Sequence, residues 1–293
     1  MSMRGLKAVL TAGGIGTRLL PFSKEIPKEM SPLITGDSGG SVQVKPMIQA
    51  IYEQLYHEGA RDFLVVVGRG KRAIQDHFTP DQAFVEFLSK KGKGSNGLVE
   101  YYEKLKASNI VFVSQPEPLG FGDAVLRAKP YISGSFLVHA GDTFILSSDH
   151  LARLVKVHAG HDADATILLQ DVPDPRQYGV VVGEDLGDGV MRIMAAEEKP
   201  DKPQTNTAIM PIYLFKETLF PYLSSAKPGR NGEVQLTDAI QSLCLSGKVM
   251  GVKLRDDELR LEIGSPETLM EALQVSSKYL GYTTNEMRTN RRR

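Results

Sequence analysis

The sequence predicts an α/β fold, a largely parallel sheet covered by helices, and three observations predict it. Short runs rich in valine, isoleucine and leucine recur at residues 6–10, 63–67, 110–113 and 136–138, separated by segments of helical period. Hydrophobic residues make up 41% and charged residues 24% of 293, the balance of an ordinary globular chain long enough for a sizeable core. The polar motifs stand just after apolar runs, and in open α/β sheets ligands gather at the carboxyl ends of strands.

In chain order, the first run, 6–10, leads at once into Gly13-Gly14-Ile15-Gly16-Thr17-Arg18 and then Ile26-Pro27-Lys28-Glu29-Met30. Met47, Ile48, Ile51, Leu55 and Tyr56 share one face of a helix that opens after Lys45-Pro46 and closes at Gly59. The strand 63–67 follows. Residues at about 79–109 form an insertion of two helices, 81–90 and 98–106, joined by the polar linker 92–97, which is too hydrophilic to pack and forms an exposed loop. Strands at 110–113 and 136–138 complete the first half. The second half carries strands at 165–169, 179–182, 191–195 and 208–214, with helices at 216–224, 235–246 and 266–279. No internal repeat and no shift in composition divides the chain, so residues 1–283 are expected to form a single domain, followed by a basic, mobile tail at 284–293.

Lysine plus arginine and aspartate plus glutamate both total 35, so no global field draws nucleic acid or an acidic membrane, and any affinity for phosphate is local. The single cysteine, Cys244, forbids an internal disulfide and fits a reducing compartment; on a helix it reads as a packed apolar residue. The first strand starts almost at Met1, leaving no room for a signal peptide, and no apolar run approaches the ~18 residues of a membrane span. A cytoplasmic location is expected.

The glycine-rich turn is built to hold phosphates. Gly13, Gly14 and Gly16 let the main chain pass close to a ligand with its N–H groups turned inward, and Arg18 and Lys28 add full charge. Two better-known phosphate loops are excluded by spelling: a Walker loop ends in Gly-Lys-Ser/Thr where this chain has Gly16-Thr17-Arg18, and a dinucleotide fingerprint needs glycine where Leu19 stands. Three further pieces follow predicted strands. Gln115-Pro116-Glu117-Pro118-Leu119-Gly120 places an amide beside a glycine turn, suited to a pyrimidine edge, although a plain turn before a helix explains it as well. His139-Ala140-Gly141-Asp142 puts a carboxylate at a strand tip, apt for magnesium, which is held by one or two carboxylates plus substrate phosphates; alone, Asp142 serves equally as a cap. Glu197-Glu198-Lys199-Pro200, preceded by Tyr178-Gly179, pairs a point charge for a phosphate with an acceptor for sugar hydroxyls, or is a solvated turn with an ion pair.

Taken together and in this order, these motifs resemble those of the sugar-1-phosphate nucleotidyltransferases from Leu6 to about Leu280. Residues 26–30, the helical insertion and Glu233-Val234-Gln235-Leu236-Thr237-Asp238-Ala239-Ile240 are similar to the branch that transfers a uridylyl group. The resemblance implies a Rossmann-like, mostly parallel mixed sheet flanked by helices, of the nucleotide-diphospho-sugar transferase type. It implies UTP and glucose 1-phosphate as substrates, Mg2+ as cofactor and a homo-oligomer, dimer or tetramer. Ala12, Gly13, Gly14, Gly16, Thr17, Arg18 and Lys28 would cradle the nucleotide phosphates, and Gln115 and Gly120 would read the base. Gly179, Glu198 and Lys199 would hold the sugar phosphate, with Arg18, Lys28, Asp142 and Lys199 as the catalytic set.

One departure concerns the metal. Relatives commonly carry an aspartate in an Asp-x-Gly turn near the C-terminus, where this chain has Glu262-Ile263-Gly264, so Glu262 is the expected second ligand beside Asp142, directly or through water. His158 and His161, near Asp162 and Asp164, match no zinc signature and read as structural or solvated. The expected chemistry needs no catalytic histidine, because a phosphate monoester with a second pKa of about 6 is mostly dianionic at neutral pH. Rival readings are the same transfer with dTTP, a non-catalytic sugar-nucleotide sensor and a basic-tailed nucleic-acid module, the last opposed by the neutral charge balance.

Overall fold

The computed structural model describes residues 3–36, 42–229 and 232–280; the tail expected at 284–293 lies outside the described residues. The strands are β1 Lys7–Ala12, β2 Pro32–Gly36, β3 Val42–Pro46, β4 Asp62–Gly68, β5 Asn109–Gln115, β6 Ser135–Ala140, β7 Thr143–Leu146, β8 Ala165–Asp171, β9 Gly179–Gly187, β10 Val190–Glu198, β11 Thr207–Lys216, β12 Val249–Lys253 and β13 Leu259–Glu262. The helices are α1 Met47–His57, α2 Arg72–His77, α3 Gln82–Lys90, α4 Asn96–Lys106, α5 Phe121–Arg127, α6 His150–Gly160, α7 Leu219–Ser225, α8 Leu236–Cys244 and α9 Pro266–Tyr279.

Among the described residues a nine-stranded sheet has the order β5-β4-β1-β6-β11-β8-β12-β10-β9. Pairs β5–β4, β4–β1, β1–β6 and β8–β12 are parallel, while β10 and β11 run against the rest. Both faces are covered, which is why the central strands read as continuous apolar runs. Ala8 and Leu10 of β1 pack with Ile48, Ile51 and Tyr52 of α1 on one face, whereas Val9 packs with Val125 of α5 and Ile240 of α8 on the other.

The insertion is two helices with an exposed linker, and only the second docks. Along α3 no residue is buried, but α4 buries Tyr101, Tyr102 and Leu105, and its Lys104 pairs with Glu53 of α1 at 3.3 Å. Several elements are absent from the sequence-based expectation: the hairpin β2–β3, the short pair β7–β13, the strand β12 and the helix α2. All are short; β2, β3, β7, β13 and α2 have half-exposed or mixed patterns, and β12, though buried, is five residues broken by Gly251, so periodicity does not separate them from loop. Lys216 ends β11 instead of opening a helix, which begins at Leu219.

Two irregularities bring distant chain segments to the site end of the sheet. Strand β11 lies centrally yet contains Pro211, which cannot donate to a ladder; pairing with β8 jumps from Ile209↔Leu169 to Tyr213↔Ile167, a bulge that absorbs it. The hairpin β9–β10 bends at register shifts between Val190 and Met191 and between Ile193 and Ala195, and Val180 folds back to pair with Ala208 of β11. Cys244 closes α8, and burial pushes its thiol up to about 11, consistent with packing rather than reactivity.

Candidate active site

Because β5, β4, β1 and β6 are parallel neighbours, their carboxyl ends lie in one row, and three of them feed a cleft of about 440 Å3. Gly13, Gly14, Gly16, Thr17 and Lys28 form one wall; Gln115, Pro118, Gly120 and Phe121 form the other, with Asp142 between. The loop after β1 runs through single 3-10 turns at Thr17–Leu19, Phe22–Lys24 and Lys28–Met30. It is thinly anchored: Leu19 is buried, but Ile15 is 59% and Leu20 55% exposed. A Cβ on Gly13 would stand 1.8 Å from Gln115 Oε1, so only glycine lets the loop lie against that amide.

Gln115, the last residue of β5, is 3% exposed. Its Nε2 donates to Gly120 O at 3.0 Å and to Asp123 Oδ2 at 2.8 Å. The amide read from the sequence as suited to a pyrimidine edge thus has both its hydrogens taken by the framework, and Oε1 is left. Gly120 has φ 102°, and a Cβ there would lie 2.8 Å from Val234 O, so both conformation and space demand glycine. Val234 N–H donates to Leu119 O at 2.7 Å and Gly122 N–H to Val234 O at 2.9 Å, pinning this turn to the segment before α8.

Asp142 stands two residues past the end of β6 and is hydrogen-bonded and ion-paired through Oδ2 to Lys28 Nζ. Burial pushes the Asp142 carboxyl up, but the Lys28 charge and hydrogen bond outweigh it and hold the group below its ordinary value. Lys28 is raised chiefly by that same carboxylate, so both partners stay charged. Sequence reasoning missed the support beneath them. Glu29, 1% exposed, receives Lys71 Nζ at 2.7 Å and so ties the Lys28 turn to the start of α2.

A second cleft of about 340 Å3 continues past Asp142; Phe121, Ala140, Asp142 and Glu233 line both. Gly179, Glu198 and Lys199 border it, together with Tyr213 and Thr237. Glu198 Oε2 accepts from Thr237 Oγ1 at 2.6 Å, and Lys199 Nζ lies 3.3 Å from Glu198 Oε1. Lys199 sits at φ 43°, a strained position for a side chain, held by its N–H donating to Tyr178 O at 3.0 Å. Arg18, expected along the nucleotide loop, borders this second cleft instead; its Nη2 lies 3.1 Å from where a Cβ on Gly264 would stand. Ala12 has its side chain in the core, 1% exposed, and borders neither cleft.

Glu262 reaches this place through β13, which pairs with β7 so that Glu262 lies opposite Thr143, and Ile263 N–H donates to Asp142 O at 2.9 Å. Two carboxylates from neighbouring strand ends, open to a phosphate-sized cleft, are a donor set that suits Mg2+, which completes its shell with substrate oxygens and water. Among the described residues no three histidine, cysteine, aspartate or glutamate side chains gather as a metal cage. Among the described residues no histidine borders either cleft. His158 is buried and its Nδ1 lies 3.0 Å from Thr166 Oγ1.

A family described as nucleotidyl transferase matches residues 7–278. The UTP–glucose-1-phosphate uridylyltransferase of Streptococcus pyogenes is 33% identical over 270 residues, 88% of this chain and 84% of that one. Its counterpart from Streptococcus pneumoniae serotype 4 is 35% identical over 254 residues, 83% of this chain and 81% of that one. Among solved structures, apo UDP-glucose pyrophosphorylase superimposes with a TM-score of 0.83 and a complex with UDP-glucose with 0.80; each is 28% identical and covers 94% of this chain and 98% of that one.

Proposed function

The chain belongs to the nucleotidyl transferase family, and from that premise we propose that its paired clefts make UDP-glucose and pyrophosphate from UTP and glucose 1-phosphate. One observation carries the reading: Asp142 borders both clefts, with the glycine loop on one side and Glu198 and Lys199 on the other, so two phosphorylated substrates meet at one carboxylate.

A phosphate oxygen of glucose 1-phosphate attacks the α-phosphorus of UTP in line. The new O–P bond forms as the bond to the bridging oxygen of the β-phosphate breaks, and pyrophosphate leaves with that electron pair. No side chain has to accept a proton, since the attacking phosphate, with a second pKa of about 6, is already largely dianionic. The rest is positioning and charge. The backbone of Gly13, Gly14, Gly16 and Thr17 cradles the triphosphate, and Lys28, kept protonated by Asp142, neutralises the departing pyrophosphate. Arg18, at the junction, serves the reacting phosphates. Lys199 binds the sugar phosphate, and Glu198, oriented by Thr237 and close to Gly179, accepts from sugar hydroxyls. Gln115 Oε1 and the Gly120 turn read the pyrimidine. Asp142 and the longer arm of Glu262 would hold Mg2+, which would supply charge neutralisation at the phosphates.

The same reading takes the protein as a cytoplasmic homo-oligomer, dimer or tetramer, with no nucleic-acid or membrane partner. Support comes from the lone cysteine, the even charge balance and exposed apolar area on α9 at Met270 and Tyr279. No helix among the described residues is long and apolar enough to cross a membrane. Pyrophosphate release across a matrix of UTP, dTTP and ATP against glucose and galactose 1-phosphates tests the function. Fastest release with UTP and glucose 1-phosphate is expected. Faster release with dTTP makes the chain a thymidylyltransferase, and binding without release makes it a sensor.

A further inference from the structure

Two carboxylates flank the junction of the clefts, and a protein cation holds each. Lys28 holds Asp142 and faces the nucleotide side. On the sugar side Arg260 Nη1 donates to Glu262 Oε2 at 2.6 Å, an easy pairing because residues 260 and 262 project from the same face of β13. Arg260 Nη2 donates to Tyr178 OH at 2.9 Å, with the guanidinium 5.0 Å from the ring centroid. Tyr178 in turn accepts the N–H of Lys199, the residue proposed for the sugar phosphate. Arg260 is 16% exposed at the side chain, borders the sugar-side cleft and has more N–H donors than these two bonds use.

The charge around that cleft makes the pairing consequential. Asp142, Glu198, Glu233 and Glu262 face Arg18, Lys199 and Arg260, with Lys28 on Asp142, so the carboxylates balance the cations and an entering phosphate dianion meets no free positive charge on Arg260. A metal ion that draws Glu262 to itself strips Arg260 of its partner, and a mostly buried guanidinium without a counter-ion is costly. The sugar phosphate is the anion then within its cleft.

We propose that Arg260 is a ligand of the sugar phosphate, held in reserve by Glu262 until a metal ion claims that carboxylate. The inference rests on the functional reading above and adds a residue and an order of events to it: metal first, then a released arginine, then tight binding of the sugar phosphate. Arg260 and Lys28 are then counterparts, one freed toward each substrate.

Calorimetric titration of the full chain with UDP-glucose and with UMP tests this, since the two ligands differ by the glucosyl phosphate. With Mg2+ present, Arg260→Gln is expected to weaken UDP-glucose by about tenfold, the scale of a hydrogen bond to a charged group, and to leave UMP within about twofold. Arg260→Lys recovers part of the loss, because it restores the charge without the fork. Equal weakening of both ligands, or of neither, overturns the proposal. A second variant needs no intact Arg260 substitution: in chelator, Glu262→Ala frees the arginine and is expected to tighten UDP-glucose by about threefold, the scale of a partly exposed ion pair. That gain disappears in Glu262→Ala/Arg260→Gln. A gain that survives in the double variant reports general relief of negative charge and overturns the proposal, as does no gain in Glu262→Ala. A wild-type chain that binds no UDP-glucose and releases no pyrophosphate fails the functional reading itself, an outcome distinct from these.

Discussion

On the nucleotide side of Asp142 one wall of the cleft comes from a single stretch, Gly13 to Lys28, whereas the sugar side is assembled from the ends of β9 and β10, the start of α8 and the turn after β13. The first is a loop with few buried side chains and large exposed ones at Ile15 and Leu20; the second rests on Ile209, Tyr213 and Leu236, each at most 6% exposed. Loops with few buried contacts open at low free-energy cost, while packed strand ends open only with the sheet. The nucleotide side is therefore the part that can close on its ligand, and the sugar side the part that is preformed. Asp142 stands between them just past β6, so one carboxylate borders both a loosely anchored wall and a packed one.

The largest effect expected is at this shared residue. Asp142→Asn should abolish pyrophosphate release at any practical Mg2+ concentration, whereas Glu262→Gln should keep a measurable fraction that rises with added Mg2+; titrating both variants with magnesium checks the contrast. Full activity in Asp142→Asn removes the shared wall on which the comparison stands.

Next in size is the split between the two lysines. Lys28→Ala should lower kcat by roughly 10²–10³-fold, the cost of one preorganised charge-stabilising donor. Lys199→Ala should chiefly raise KM for glucose 1-phosphate and leave KM for UTP unchanged. Steady-state kinetics with each substrate varied would show the two sides to be one unit if both variants moved both constants alike.

Acid should act on the preformed frame. His139, His150 and His158 are buried, and desolvation lowers them to about 4, 3 and 4. Each stays neutral in the native state while the unfolded chain takes up a proton below about 6.5, so stability falls as pH drops from about 6.5 toward those values, by about 1.4 kcal/mol per pH unit for each histidine. Urea midpoints at pH 7.5, 6 and 5 check the slope. A flat profile means that these histidines are protonated in the folded frame.

The smallest effect sharpens the nucleotide side. Gln115→Ala removes the acceptor facing Gly13 and takes one donor from Gly120 O and one from Asp123 Oδ2, which keep Ala124 N–H and Arg127 Nε, and should weaken UTP by about 1–3 kcal/mol while blurring the choice between bases. UTP and dTTP titrations of the variant would locate base choice elsewhere if the preference held.

Much of this was legible along the chain. The strands β1, β4 and β6 announce themselves because they are buried on both faces and largely apolar, and β5 by its run of Ile110 to Val113 although it lies half-exposed at the sheet edge; the glycine loop stands out because it is a run with few side chains. Glu198 and Lys199 were legible as a pair, and their partner Thr237 was not, since nothing near residue 237 says that α8 will stand under β10. Glu29 and Lys71 are 42 residues apart and look like surface charges until both prove buried. The short elements β7, β12 and β13 are too brief for any period to stand out from turns.

By itself the sequence determined which groups were present: a glycine-rich loop, two cations in and after it, a carboxylate just past a strand, an acid and base pair in a turn, and the alternation that folds them onto one sheet. These are local properties, written in side chains whose spacing matches a helix or a strand. Only the tertiary structure decided the partners. It turned Arg18 to the second cleft, occupied the Gln115 amide with Gly120 and Asp123, and set Arg260 between Glu262 and Tyr178. The physical reason is that a charged or polar group settles on whichever opposite group lies nearest after the sheet has formed. That geometry comes from register, bulge and hairpin bend, which join residues far apart in the chain and leave no local trace.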